Sequence, residues 1–174
     1  PWSVYDQGTV GSWIGGELAL LRKAHHLGVP VLGVCFGAQA LASALGGSVE
    51  PSPRPEIGWT EIDTHGASLV GRGPWMQWHY DRCVLPPGAQ EVARNEVGVQ
   101  AFRAGRSLGV QFHPEITPWM LRGWLDNGGA AQCVRHGVDP AGLFARSRAM
   151  EPAARENAAR LVDGFLDRVA HEAV

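Results

Sequence analysis

The chain has 174 residues, 45% hydrophobic and 18% charged, with a formal net charge of −2. That length suits one domain with its own core, and near-neutral charge gives no electrostatic reason to expect nucleic acid or an anionic membrane as partner. No apolar run approaches the about 20 residues that span a bilayer, and the opening PWSVYDQGTV has neither the basic nor the apolar region of a secretory signal. Three widely separated cysteines, Cys35, Cys83 and Cys133, argue against a disulfide framework and for a reducing compartment. None forms a CxxC pair of the kind that holds structural zinc. The expectation is a cytoplasmic protein without metal or cofactor.

In chain order, residues 17–27 (ELALLRKAHHL) carry apolar side chains about three apart, which predicts a helix stopped by Gly28 and Pro30. His25 and His26 near its end suit the helix dipole and receive no function. VPVLGV (29–34) is short, branched and apolar on both faces, as a central parallel strand is. AQALASALGG then reads as a helix, ended by Gly46 and Gly47. This rhythm predicts an α/β layered domain. The middle differs: GWTEIDTHG, ASLVG, MQWHYDRCVL, EVARNEVGVQAFRAG and SLGVQFHPE are strand-like pieces between turn signals, an antiparallel excursion that returns to the main sheet at SLGVQF. Residues 119–125 predict a helix with Pro118 near its first turn. A break at DNGG precedes DPAGLFARSRAM and a closing amphipathic helix, EPAARENAARLVDGFLDRVAHEA. Ala158, Leu161, Val162, Phe165, Leu166 and Val169 are its expected buried stripe.

Chemistry concentrates at two strand ends. A free cysteine is usually a small core hydrophobe, and Cys83 and Cys133 read that way. Cys35 lies in Gly33-Val34-Cys35-Phe36-Gly37, between strand and helix, the pattern of a nucleophile elbow. Flanking glycines permit a sharp turn that lifts the sulfur clear of the sheet. The helix N-terminus favours an anion there, and the Phe36 N–H points to where a tetrahedral oxyanion would form. A nucleophile needs a base and an orienter. His113 and Glu115, two apart in an extended stretch held by Pro114, project to one side. Alone, His-Pro-Glu reads as a surface turn; with the elbow it supplies base and carboxylate. Both motifs fall at C-terminal strand ends, where open α/β sheets bind ligands.

With GVCFGAQALASALGG, EIGWTEI, MQWHYDRCVLPPGA and GVQFHPEIT in this order, the chain resembles the class I, triad-type glutamine amidotransferases, and more narrowly their GMP synthase-like type 1 subgroup. The resemblance implies a flavodoxin-like, mostly parallel open sheet flanked by helices with a small antiparallel excursion. It implies glutamine as substrate, hydrolysed through a γ-glutamyl thioester by Cys35, His113 and Glu115, and ammonia delivered to a synthetase or acceptor-enzyme partner. The family's glutamine-recognition residue falls on Gln39, one turn after Cys35; the plain alternative is a polar residue on an exposed helix face. Trp78-His79-Tyr80-Asp81 aligns with the loop gripping the amino-acid end of glutamine, where Tyr80 replaces a common glycine. Asp81 is the candidate partner for the substrate ammonium and His79 shapes the loop, against the alternative of a solvated turn. The family also places a strand–helix–strand unit before a Gly-Gly-Pro loop whose proline would be Pro1. One amidotransferase domain over 1–174, truncated at its N-terminus and lacking the glycine that gives the second oxyanion donor, is therefore expected. Two other functions fit the same motifs: γ-glutamyl peptide or γ-glutamyl polyamine hydrolysis, and an inactive regulatory subunit that keeps the fold.

Overall fold

The computed structural model describes residues 3–65 and 69–171. Helix α1 (Ile14–His26) leads into strand β1 (Val31–Val34) and helix α2 (Phe36–Ala44). Strands β2 (Ser48–Thr60), β3 (Asp63–Thr64), β4 (Trp75–Val84), β5 (Gln90–Arg94), β6 (Val99–Ala104) and β7 (Ser107–Val110) follow. Helix α3 (Pro118–Trp124), a wound segment Leu125–Gly129, helix α4 (Ala130–Arg135) and helix α5 (Pro140–Phe165), continued by Leu166–Ala170, complete the fold.

The strands form one open sheet in the order β1-β7-β6-β4-β2, with β5 beside β6 and β3 beside β5. Strand β1 pairs parallel to β7, Val34 opposite Val110, so the two predicted chemical segments leave the sheet side by side. This is the α/β open sheet expected from sequence. Its antiparallel part is larger than the small excursion expected, and within the described residues β1–β7 is the parallel pair. The reason lies in β2. Its Pro51, Pro53 and Pro55 read as loop, yet the segment pairs with β4 on both sides of an irregularity between Pro51 and Glu56. Prolines are tolerated because β2 is at the end of the strand order, where missing N–H donors cost no ladder bond.

Helix α3 begins as predicted, with Pro118 in its first turn and Thr117 capping the Met120 N–H at 3.2 Å. The DNGG break is real: Gly128, at φ 94°, turns the chain between α3 and α4. The two predicted C-terminal segments join into one helix of 26 residues capped by Asp139. Pro152 inside it is exposed, as is Arg148, so the carbonyl it leaves unpaired faces water and the helix continues. The buried stripe is narrower than predicted. Leu161, Phe165 and Val169 are buried, but Val162 and Leu166 are rotated to solvent. Of the piece ASLVG, Leu69 and Val70 form a bend, while its Ala67 and Ser68, like Pro1, lie outside the described residues.

One core layer packs α5 on the sheet through Ile62, Leu108, Phe112, Leu161 and Phe165, with Trp75 stacked on Phe112 at 4.3 Å. A second joins Trp59, Met76 and Trp78 to Ile116, Leu121 and Leu143. Among the described residues no helix is long and apolar enough to cross a membrane, and no cluster of three or more His, Cys, Asp or Glu could hold a metal ion.

Candidate active site

Cys35 follows β1 and precedes α2 at φ 48°, the one non-glycine among the described residues with a positive φ. A bulky residue held there is strained by roughly 1–3 kcal/mol, a cost that persists where surrounding structure imposes it. Two features impose it. The Cys35 N–H donates to the Val110 carbonyl at 2.8 Å, extending the β1–β7 ladder, and its own carbonyl accepts from Gln39 N at 3.1 Å, starting the helix. Gly33 is required because a Cβ would lie 2.7 Å from the Gly37 carbonyl oxygen. Gly37, expected to serve the same turn, has open space around its Cβ position and no positive φ; it is the neighbour that Gly33 must avoid. Phe36 is the first residue of α2, which puts its N–H at the helix end beside the sulfur.

His113 lies three residues beyond β7, anchored where its N–H donates to the Met76 carbonyl at 2.8 Å. Its Nδ1 is 2.7 Å from Glu115 Oε1, it lines the same cleft as Cys35, and Trp124 of α3 packs edge-on against the ring at 4.9 Å. Burial, the largest single influence on this ring, disfavours its charged form. Hydrogen bonds to Cys35 and Glu115 and the negative charge of both together outweigh it, and the ring is held up to about 10. At neutral pH this arrangement holds an imidazolium between a sulfur and a carboxylate.

Gln39, Phe36, His79, Tyr80 and Asp81 all line the cleft of about 1280 Å³ that also exposes Cys35, His113 and Glu115. The eight residues singled out in the sequence therefore share one cavity. One plain alternative falls and one expectation changes. Gln39 is not the exposed polar residue of that alternative: it is buried, and its Nε2 donates to the Asp81 carbonyl at 3.4 Å and to Gln111 Oε1 at 3.3 Å. Trp78–Asp81 are not a loop but part of β4, opposite the irregularity in β2. Strand alternation sends Trp78 and Tyr80 one way, where the indole N–H and the phenol O–H each donate to Gln132 Oε1 of α4 at 3.2 Å. Burial pushes the Tyr80 hydroxyl up, with Arg135 opposing.

His79 and Asp81 alternate to the other side. The His79 ring is buried with Nδ1 2.9 Å from the Asp81 carbonyl, and Nε2 3.2 Å from Gln77 Oε1 and 3.1 Å from Glu56 Oε2. Gln100 donates to Glu56 at 2.8 Å and accepts from Gln77 at 2.9 Å, and Asn95 donates to Glu56 at 2.7 Å. This connected network ties the buried His79 of β4 to β2 and β6 beneath the cleft. Among the described residues the Asp81 carboxylate has no ion-pair partner, although it lines the cleft.

Sequence reasoning missed Gln111, Trp124 and the α4 wall of Gln132, Arg135 and His136, all but Gln111 lining the cleft. Gln77 and Gln111 had a signal, polar residues inside otherwise apolar strand-like runs. The α4 residues had none.

Residues 5–122 match the family model for class-I glutamine amidotransferases. Among curated relatives, the glutamine-hydrolysing GMP synthase of Aeropyrum pernix is 41% identical over 126 residues, 64% of this chain and 24% of that protein. That of Mycolicibacterium paratuberculosis is 44% identical over 124 residues, 67% of this chain and 22% of that protein. The chain thus spans less than a quarter of either relative. A glutamine amidotransferase of Thermotoga maritima superposes with a TM-score of 0.85 at 25% identity, covering 96% of this chain and 75% of the other. One from Methylobacillus flagellatus gives 0.72 at 30% identity, covering 100% and 77%. By the family match and the agreement in fold, the chain belongs to the class-I glutamine amidotransferases.

Proposed function

We propose that this domain hydrolyses the side-chain amide of glutamine and passes the ammonia to a synthetase partner. The observation that carries the reading is that Cys35, His113 and Glu115 open into one cleft, with His113 Nδ1 2.7 Å from Glu115 Oε1. The Cys35 thiolate attacks the amide carbon, and the oxyanion that forms accepts from the Phe36 N–H. The imidazolium of His113 gives its proton to the departing nitrogen, leaving a γ-glutamyl thioester and ammonia. Water then yields a proton to the neutral ring, attacks the thioester and releases glutamate, returning the thiolate and imidazolium. Glu115 keeps the Nδ1–H oriented and the ring charged, and Asp81 pairs with the substrate ammonium. GMP synthase relatives named as glutamine-hydrolysing support a nucleotide-forming acceptor enzyme as the partner.

The test is glutamate release from glutamine by the protein, with and without a candidate synthetase, beside Cys35→Ala. Release that depends on Cys35 supports the reading; equal rates in both proteins overturn it.

One observation favours a second reading. The cleft exceeds the roughly 300–1,000 Å³ of ordinary small-molecule sites, and at about 1280 Å³ it runs on to Tyr80, Gln132 and Arg135, the latter two beyond the matched family segment. A γ-glutamyl peptide or polyamine would use that space. Glutamate released from such a compound but not from glutamine would select this reading. An inactive regulatory subunit would release glutamate from neither.

A further inference from the structure

Gln111 is buried and lies two residues before His113, just beyond the end of β7. Its backbone N–H donates to the Gln100 carbonyl at 2.9 Å, which fixes the main chain. Its side chain touches three groups that matter together. The Oε1 accepts from Gln39 Nε2 at 3.3 Å and from the Cys83 thiol at 3.6 Å. The Nε2 then donates to Cys35 Sγ at 3.7 Å, a normal length for a bond to the larger sulfur atom.

The amide cannot serve in the opposite sense. Flipping it would turn its NH₂ toward two donors, the Gln39 amide and the Cys83 thiol, and present an oxygen to the nucleophile. Gln39 is held in turn, because the second hydrogen of its Nε2 goes to the Asp81 carbonyl. A line of hydrogen bonds thus links the Asp81 carbonyl of β4, Gln39 of α2 and Gln111, and ends on the sulfur.

We infer that Gln111 is a catalytic residue whose side-chain N–H stabilises the Cys35 thiolate, and that Gln39 and Cys83 act as positioning residues that set its amide orientation. This rests on Cys35 being the nucleophile. The Gln111 amide then donates to the sulfur, and the His113 imidazolium lines the same cleft. The amide favours the anion over the neutral thiol, since a hydrogen bond to a charged acceptor is stronger than to an uncharged one. The assignment gives buried Gln39 work besides contact with substrate, and Cys83 work besides packing.

The test reads the sulfur directly and needs no turnover. Alkylation by iodoacetamide is followed against pH and localised to Cys35 by peptide mass, as Cys83 and Cys133 are buried. Gln111→Met keeps the volume and removes the donor; its midpoint pH for alkylation should rise by about one unit, the scale of a hydrogen bond to a charged group. Gln111→Glu places a carboxylate beside the sulfur and should move it at least as far. If both variants unfold, Cys83→Ala supplies the test. Freed of one orienting donor, the amide should hold less well, and the midpoint should rise by a smaller amount. Folded Gln111→Met with the wild-type midpoint overturns the inference, as does an unchanged midpoint in Cys83→Ala when the other two do not fold. Glutamine hydrolysis is measured on the same preparations. Its absence from wild type would refute the proposed function while the alkylation profile still decides the role of Gln111.

Discussion

Replacing Glu115 by Gln isolates the charge that holds the His113 ring. The Nδ1–Oε1 contact is 2.7 Å, the length of a charge-assisted hydrogen bond. Such bonds contribute about 1.5–3 kcal/mol. The Glu115 side chain is 42% exposed, so solvent screening puts this one at the lower end. About 1.4 kcal/mol corresponds to one pH unit and to a tenfold change in rate. The ring of Glu115→Gln should therefore titrate about one unit below the wild-type value of about 10. The sign follows from the partner: without the carboxylate the imidazolium loses stabilisation and gives up its proton at lower pH. Glutamine hydrolysis should fall about tenfold, with its alkaline limb displaced downward. The new amide oxygen can still accept the Nδ1–H, so ring orientation survives. Glu115→Ala removes orientation as well and should lose at least about a further tenfold. Histidine ring titration by NMR and a glutamate-release assay measure both effects. An unchanged titration and an unchanged rate in folded Glu115→Gln would refute this assignment.

Gly33→Ala should destabilise the fold by about 1–3 kcal/mol in denaturant unfolding, because its Cβ meets backbone that cannot yield. Gly37→Ala, with open space at the same position, should be neutral or gain up to about 1 kcal/mol from helix propensity. Equal losses in both would contradict the elbow geometry. The His113 ring, raised in the folded state, contributes stability that is fully present below its unfolded value of 6.5 and is lost as pH rises through about 10. The unfolding free-energy advantage of wild type over His113→Gln should shrink across that window; a constant difference would contradict the coupling. Trp124→Ala removes the edge-on support of the ring and a contact with Trp78, and should lower both kcat and fold stability; an unaltered kcat in the folded variant would deny it a role.

The parts of this molecule legible in its sequence are those whose chemistry is local. Gly33 and Cys35 announce an elbow because strand, turn and helix lie within a few residues. His113 and Glu115 are legible because an extended chain alternates its side chains and Pro114 keeps it extended. That both motifs end strands was legible, whereas the parallel pairing of β1 with β7 that sets them side by side came from the structure. Strand β2 was hidden by Pro51, Pro53 and Pro55, which only an edge position forgives. Likewise Pro152 disguised one long helix as two, since its cost depends on whether the facing carbonyl reaches water. The burial of Gln39 was not legible because its partners, the Asp81 carbonyl and Gln111, are distant in the chain. The α4 wall reaches the cleft only through the turn at Gly128, and no periodicity reports that.

The most direct measurement of the central claim uses an electrophilic glutamine analogue, with the modified residue identified by peptide mass spectrometry and residual glutamate release followed in parallel. The account predicts one label per chain, on Cys35, rising in step with loss of hydrolysis and blocked by excess glutamine. Labelling at Cys83 or Cys133 instead, or hydrolysis that survives full modification of Cys35, would contradict it.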